Sequence, residues 1–114
     1  MKNFRSSHTA TIANGASLSD AVDLGDARAA RIVMPASWTT ANLTFQTSPD
    51  GSTWNNLYDS YDTEYTVKAA ASRSILLPLV DFLSIRYLKV RSGTSGSAVN
   101  QGGARSLQIV AVEK

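Results

Sequence analysis

Leu43-Thr44-Phe45-Gln46-Thr47-Ser48-Pro49-Asp50-Gly51-Ser52-Thr53-Trp54 is the stretch that decides the fold class. In an extended chain Leu43, Phe45 and Thr47 point to one side and Thr44, Gln46 and Ser48 to the other, because successive strand side chains alternate. The strand then runs into Pro49-Asp50-Gly51. Pro fixes φ at the second turn position, Asp suits the third, and Gly takes the left-handed position that closes a bulged hairpin. A strand, a tight turn and a return toward Trp54 is the grammar of an antiparallel sheet.

The same grammar extends outward. In 84–91, Arg86, Leu88 and Val90 oppose Ile85, Tyr87, Lys89 and Arg91. Apolar residues on both faces suit a central strand. In 105–112, Leu107, Ile109 and Ala111 alternate with Gln108, Val110 and Val112, and in 63–67 Tyr65 and Val67 share a face. Shorter runs at 7–13, 18–24, 29–34, 53–58 and 73–79 bring the total to about eight or nine strands. Asn14-Gly15 tolerates the positive φ of a tight turn. Pro35 and Pro78 end their strands because each lacks a ladder donor. The Ala-rich 67–73 lacks the apolar residues to dock a helix, so a loop or single turn is expected there. The sequence therefore predicts an all-β fold, a two-sheet antiparallel β-sandwich of jelly-roll-like form with about eight strands. It forms one domain over 9–114, preceded by a polar N-terminal extension, 1–8. Phe45, Trp54, Leu88, Val90, Leu107 and Ile109 are the expected core.

Composition narrows the function classes. The 114 residues are 43% hydrophobic and 18% charged, with a formal charge of +2, which argues against wholesale disorder and against a strongly basic face. There is no cysteine, so disulfides, thiolate metal sites and thiol catalysis are excluded. No apolar run approaches the roughly 18 residues of a membrane span, and the start lacks the apolar stretch of a signal peptide. No membrane partner is expected.

No reactive constellation emerges. The single histidine, His8, sits in a polar leader with no nucleophile-elbow sequence in the chain. Asp20, Asp23 and Asp26, and likewise Asp59 and Asp62, recur at spacing three, but in strand-and-turn context, so solvated loop charge outweighs a calcium site. The Gly93–Gly103 loop lacks the lysine and spacing of a phosphate cradle. Arg86, Lys89, Arg91 and Arg105 cluster, yet one strand puts Lys89 and Arg91 on one face and Arg86 on the other, so direct nucleic-acid binding is not expected. No catalytic residue, metal or cofactor is expected, and the chain reads as a non-enzyme. Among the rings, Tyr61 lies in a polar loop and, with Trp38, is the candidate for stacking on a sugar. Trp54, Tyr58 and Tyr65 read as sandwich filling.

Two resemblances arise at these residues. Leu43 to Trp54 resembles the strand–turn–strand of discoidin-type, galactose-binding-like domains, Val22-Asp23-Leu24-Gly25 is similar to their "DLG" strand, and Arg86-Tyr87-Leu88-Lys89-Val90 to their "RYV-R-I" strand. The chain is shorter than those domains and lacks their terminal cysteine pair, so the resemblance implies the sandwich and no ligand site. Secondly, Ile32-Val33-Met34-Pro35-Ala36-Ser37-Trp38-Thr39, Phe45 with Ser48-Pro49-Asp50-Gly51, Arg91-Ser92-Gly93-Thr94 and Val99-Asn100-Gln101 resemble small proteins encoded among the virion genes of tailed bacteriophages. That resemblance extends over most of 16–112 and implies a structural component of the particle.

The expectation is thus a structural virion protein, made in the host cytoplasm and carried in the particle. Capsid decoration or a head-spike base is the expected place, with other capsid or tail proteins as partners and three or more copies of the chain about an axis. Both Met1 to Ser7 and the loop from Ser92 to Gly103 are too polar for core. These two segments are expected to form intersubunit contacts, and residues 1–8 and 92–104 to be disordered alone and to order on assembly. Phe4, Arg5, Val99, Asn100 and Gln101 are the expected contacts, with Gln101 and Asn100 offering amides to a neighbour's strand edge. The alternative is a carbohydrate-binding module for host attachment, carried by Tyr61 and Trp38.

Overall fold

The computed structural model describes residues 4–113. Among them run β1 (Arg5–Ile12), β2 (Val22–Asp23), β3 (Ala27–Val33), β4 (Leu43–Ser48), β5 (Asn55–Asn56), β6 (Ser74–Leu76), β7 (Tyr87–Ser92) and β8 (Arg105–Glu113). They form two four-stranded sheets, ordered β1-β8-β3-β6 and β2-β7-β4-β5. All pairings are antiparallel. The chain changes sheet at nearly every connection, which wraps the strands into a jelly-roll-like sandwich. The long hairpin within one sheet is β4–β5, turned by the quoted Pro49-Asp50-Gly51, where Gly51 has φ +81°. A Cβ there would press on the Tyr87 ring at 3.3 Å.

The core is what alternation dictates. Leu43 and Phe45 of β4 and Leu88 and Val90 of β7 face Ala10 and Ile12 of β1, Ile32 of β3 and Leu107, Ile109 and Ala111 of β8, all fully buried. Five of the six expected core residues, Phe45, Leu88, Val90, Leu107 and Ile109, are among these. Trp54 is only half-buried, because it lies on the outer side of the β4–β7 sheet with the Lys89 ammonium 4.5 Å from its ring centre. Its place in the core is taken by Phe82, on a single 3₁₀ turn, Leu79–Phe82, that follows Pro78. Phe82 meets Phe45 edge-on at 5.8 Å and Tyr65 edge-on at 5.6 Å, an arrangement that sets a ring's positive edge against its neighbour's negative face. The Tyr65 hydroxyl donates to Asp81 of that turn at 2.7 Å, and burial raises the pKa of its phenol.

Three expectations about the elements change. Residues 63–67 make no strand. Glu64 and Val67 form single bridges to Tyr58 and Leu43, while Tyr65 and Val67 still pack on the core. The run 18–24 shortens to β2 plus a bridge from Leu18 to Arg91. The N-terminal extension of 1–8 is also revised. Arg5 to His8 belong to β1, in register with Val112 to Ile109 of β8, while Met1–Asn3 lie outside the described residues.

Carboxylates fix the turns. Asp50 accepts the backbone N–H groups of Thr53 (2.9 Å) and Ser52 (2.8 Å) and the hydroxyl of Ser48, which holds its pKa below the usual carboxylate value. The Arg86 guanidinium, and next the N–H of Gly25, do the same for Asp23. A depressed folded-state pKa contributes stability that is full above the unfolded value near ~4 and is lost as pH falls through the folded value. Thermal melts are therefore expected to show Tm falling below about pH 4. Asp50→Ala lowers Tm at pH 7, and its deficit relative to wild type shrinks on the acid limb.

Candidate functional site

At the end of the sandwich where β4 begins and β7 finishes, the loops β1–β2, β3–β4 and β7–β8 meet at one side chain. Gln101 is 1% exposed. Its Oε1 accepts the Thr39 N–H at 2.8 Å and the Arg105 Nε at 3.1 Å, and its Nε2 donates to the Thr39 carbonyl at 3.0 Å and to Ser92 Oγ at 2.7 Å. Its backbone exchanges bonds with the β1–β2 loop, donating to Ala16 and accepting from Gly15. A buried amide so placed is satisfied on all sides, which is the condition for burying it. Gln101 is thus unavailable to a neighbour's strand edge, and its expected assembly role is withdrawn. The loop is also bound to its own domain. Gly93 donates to the Asn42 carbonyl and Val99 to that of Ser92. Gly93 has φ +87°, and a Cβ there would lie 2.6 Å from the Ser97 carbonyl oxygen, so only glycine fits. Asn100 remains exposed and Val99 half-buried.

A second polar network covers the outer side of the β4–β7 sheet. Arg91, with 8% of its side chain exposed, pairs with Glu64 at 3.2 Å, donates to Asn56 Oδ1 at 2.6 Å and reaches Thr44 Oγ1 at 3.3 Å. The Thr44 hydroxyl donates a hydrogen bond to the Gly93 carbonyl, and Glu64 accepts the Ser95 N–H. Glu64 and Asn56 thereby enclose the Arg91 guanidinium. The basic cluster seen in the sequence is dissolved by such pairing. Arg86 holds Asp23 through two bonds, Lys89 caps Trp54, Arg91 holds Glu64, and Arg105 serves Gln101.

The outer side of the β1-β8-β3-β6 sheet differs in kind. Cross-strand register sets Arg5, Val112 and Arg28 in one row, Ser7, Val110, Arg31 and Leu76 in the next, and Thr9, Gln108, Val33 and Ser74 in a third. No buried residue is among them. This face carries three arginines between aliphatic side chains, and no Asp or Glu stands in these rows. The Arg28 Nε is shielded from solvent without a hydrogen-bond partner. Sequence reading missed the arginine pair because Arg28 and Arg31, three apart, belong to opposite faces of a regular strand. A register shift between Ala29 and Arg31 puts both on the same side.

The remaining candidates separate. Arg5 belongs to the arginine-bearing face, and Phe4, 66% exposed, borders a recess of about 420 Å³ shared with Arg5, Leu24 and Asp26. Tyr61 is 89% exposed on a turn that Asp59 organises by accepting the N–H groups of Tyr61 and Thr63. Trp38 is half-buried against the core and donates its indole N–H to the Ala41 carbonyl. His8 lies on β1 with Nε2 2.9 Å from Ser6 Oγ. Among the described residues no three His, Asp or Glu side chains gather as a metal site, and no helix is long and apolar enough to cross a membrane. Asp20 instead accepts the Thr11 N–H, as Asp23 and Asp59 accept those of their own turns.

The chain matches no protein-family model and no curated protein.

Both networks predict stability effects that the open face does not. Gln101→Ala strands the Thr39 backbone and Ser92 and is expected to cost about 3 kcal/mol in urea unfolding, from leaving buried groups unpaired. Glu64→Ala, which leaves the Arg91 charge buried and unpaired, is expected to cost a similar ~3 kcal/mol, whereas Arg31→Ala should stay within about 0.5 kcal/mol of wild type.

Proposed function

We propose that this protein is a structural component that works by protein–protein assembly rather than catalysis. The reading is that of a virion protein of a tailed bacteriophage, placed as capsid decoration or a head-spike base and present as a homo-oligomer. The observation that supports it best is the open face of the β1-β8-β3-β6 sheet. A sheet face normally carries either polar residues for solvent or apolar ones for a core. Here Val110, Val112 and Leu76 share rows with Arg5, Arg28 and Arg31, and Val33 stands in the adjoining row. Arginine between aliphatic side chains is the composition of protein interfaces, since the guanidinium is weakly hydrated and its stem adds apolar contact. The phage resemblance supplies the particle, and the face supplies a means of attachment to an acidic surface on it.

A second reading, a carbohydrate-binding module for host attachment, draws on the exposure of Tyr61 alone.

The experiment is incorporation into particles. Arg28→Glu with Arg31→Glu should leave the melting curve close to wild type and abolish copurification with assembled heads. Tyr61→Ala should copurify normally. Normal incorporation of the double variant overturns the role of this face, and saturable sugar binding lost in Tyr61→Ala establishes the second reading instead. Shortening 95–102 does not test assembly cleanly, because it removes Gln101 and with it the loop framework.

A further inference from the structure

Strand β1 is one of the two edge strands of its sheet, and the longer of them. Its pairing with β8 uses one side only. The Glu113 N–H donates to the Phe4 carbonyl, so the even-numbered residues direct their backbone groups toward β8 and the odd-numbered ones direct theirs outward. Thr11 bears this out, since its N–H and C=O both turn away from β8. They are met by Asp20, whose carboxylate accepts the N–H at 2.9 Å and whose own N–H donates to the C=O at 3.1 Å. Asp20 therefore plugs one end of the edge. Among the described residues nothing meets the outward groups of Arg5, Ser7 and Thr9. What remains is a five-residue window of open ladder, free of proline and of bulge. Natural sheets usually cover, shorten or distort such an edge.

We propose that this window is the site at which two copies of the chain pair, antiparallel, about a twofold axis through Ser7. The window is symmetric about that residue. Ser7 faces Ser7 of the second copy, and Arg5 faces its Thr9, so six N–H···O=C bonds form from groups that have no other use. Like charges do not meet, because each arginine stands opposite a threonine. On the other side of the strand Ser6 stands opposite His8 of the second copy, a hydroxyl and an imidazole of matching hydrogen-bond character. In the same register the exposed Phe4 comes opposite Ala10. Asp20 ends the ladder beyond Thr9, which selects this register over a slipped one. The contact is isologous and closes on itself, so it yields a dimer and not a fibre. It merges two sheets into one of eight strands and lays two arginine-bearing faces side by side. The pairing stands or falls independently of any role in a virion.

The test is the mass of the purified full chain by sedimentation equilibrium over roughly 1 µM to 1 mM, a range that spans weak to moderate dissociation constants. The wild type should pass from monomer to dimer within it. Ser7→Pro deletes an outward N–H that the β8 ladder does not use, a place where an edge strand tolerates proline. It should raise the dissociation constant at least about tenfold, equivalent to 1.4 kcal/mol. Ser7→Ala loses the side-chain bond to Gln108 but keeps the N–H, and should dimerise as wild type does. Amide exchange of the wild type gives a measurement that needs no variant. Protection at Arg5, Ser7 and Thr9 should rise with protein concentration, while that at Ser6 and His8 stays high throughout. A wild type monomeric at 1 mM, a Ser7→Pro dimer of undiminished affinity, or exchange at Ser7 independent of concentration overturns the proposal.

Discussion

The primary amide of Gln101 is the interaction on which the loop end of this sandwich depends. A jelly-roll-like chain returns from sheet to sheet through long connections, and such connections need their backbone groups satisfied away from any ladder. Gln101 answers this with one side chain. Both amide ends are used, its backbone is used, and three connections are joined in one place. Because the residue is buried, each missing bond would carry a desolvation penalty, so the network favours a single arrangement over near alternatives.

The two sheets are finished differently from one another. On the outer side of the β4–β7 sheet Glu64 and Asn56 enclose Arg91, and on the inner side Phe82 fills the core from a turn that belongs to neither sheet. The β1-β8-β3-β6 sheet leaves its outer face uncovered and has β1 and β6 as its edges. The asymmetry orders the functional reading. The uncovered side carries Arg5, Arg28 and Arg31, and the Gly/Ser-rich loop is bonded to its own domain.

The four cations of 86–105 show how pairing redistributes charge. In the sequence they form a cluster, whereas in the folded chain each is consumed by a carboxylate, a ring or an amide of its own chain. Arg5, Arg28 and Arg31, distant in sequence, become neighbours because β1 and β3 flank β8. Electrostatic character therefore belongs to the sheet order, which no local charge count reports.

Period-two alternation, the turn chemistry of Pro49-Asp50-Gly51 and the strand-ending Pro35 and Pro78 determined the fold class, the absence of long helices among the described residues, and most of the core. These signals act between residues adjacent in the chain, and a strand's two faces are set by its backbone alone. The partners of Gln101, the promotion of Phe82 over Trp54 and the pairing of Arg91 with Glu64 were decided by tertiary structure. Each depends on which segments meet across the sandwich, and a polar loop residue reads the same whether it ends buried or exposed. The arginine face is the sharpest instance. A one-residue shift in β3 moved Arg31 to the side of Arg28, and that shift belongs to the pairing of β3 with β8.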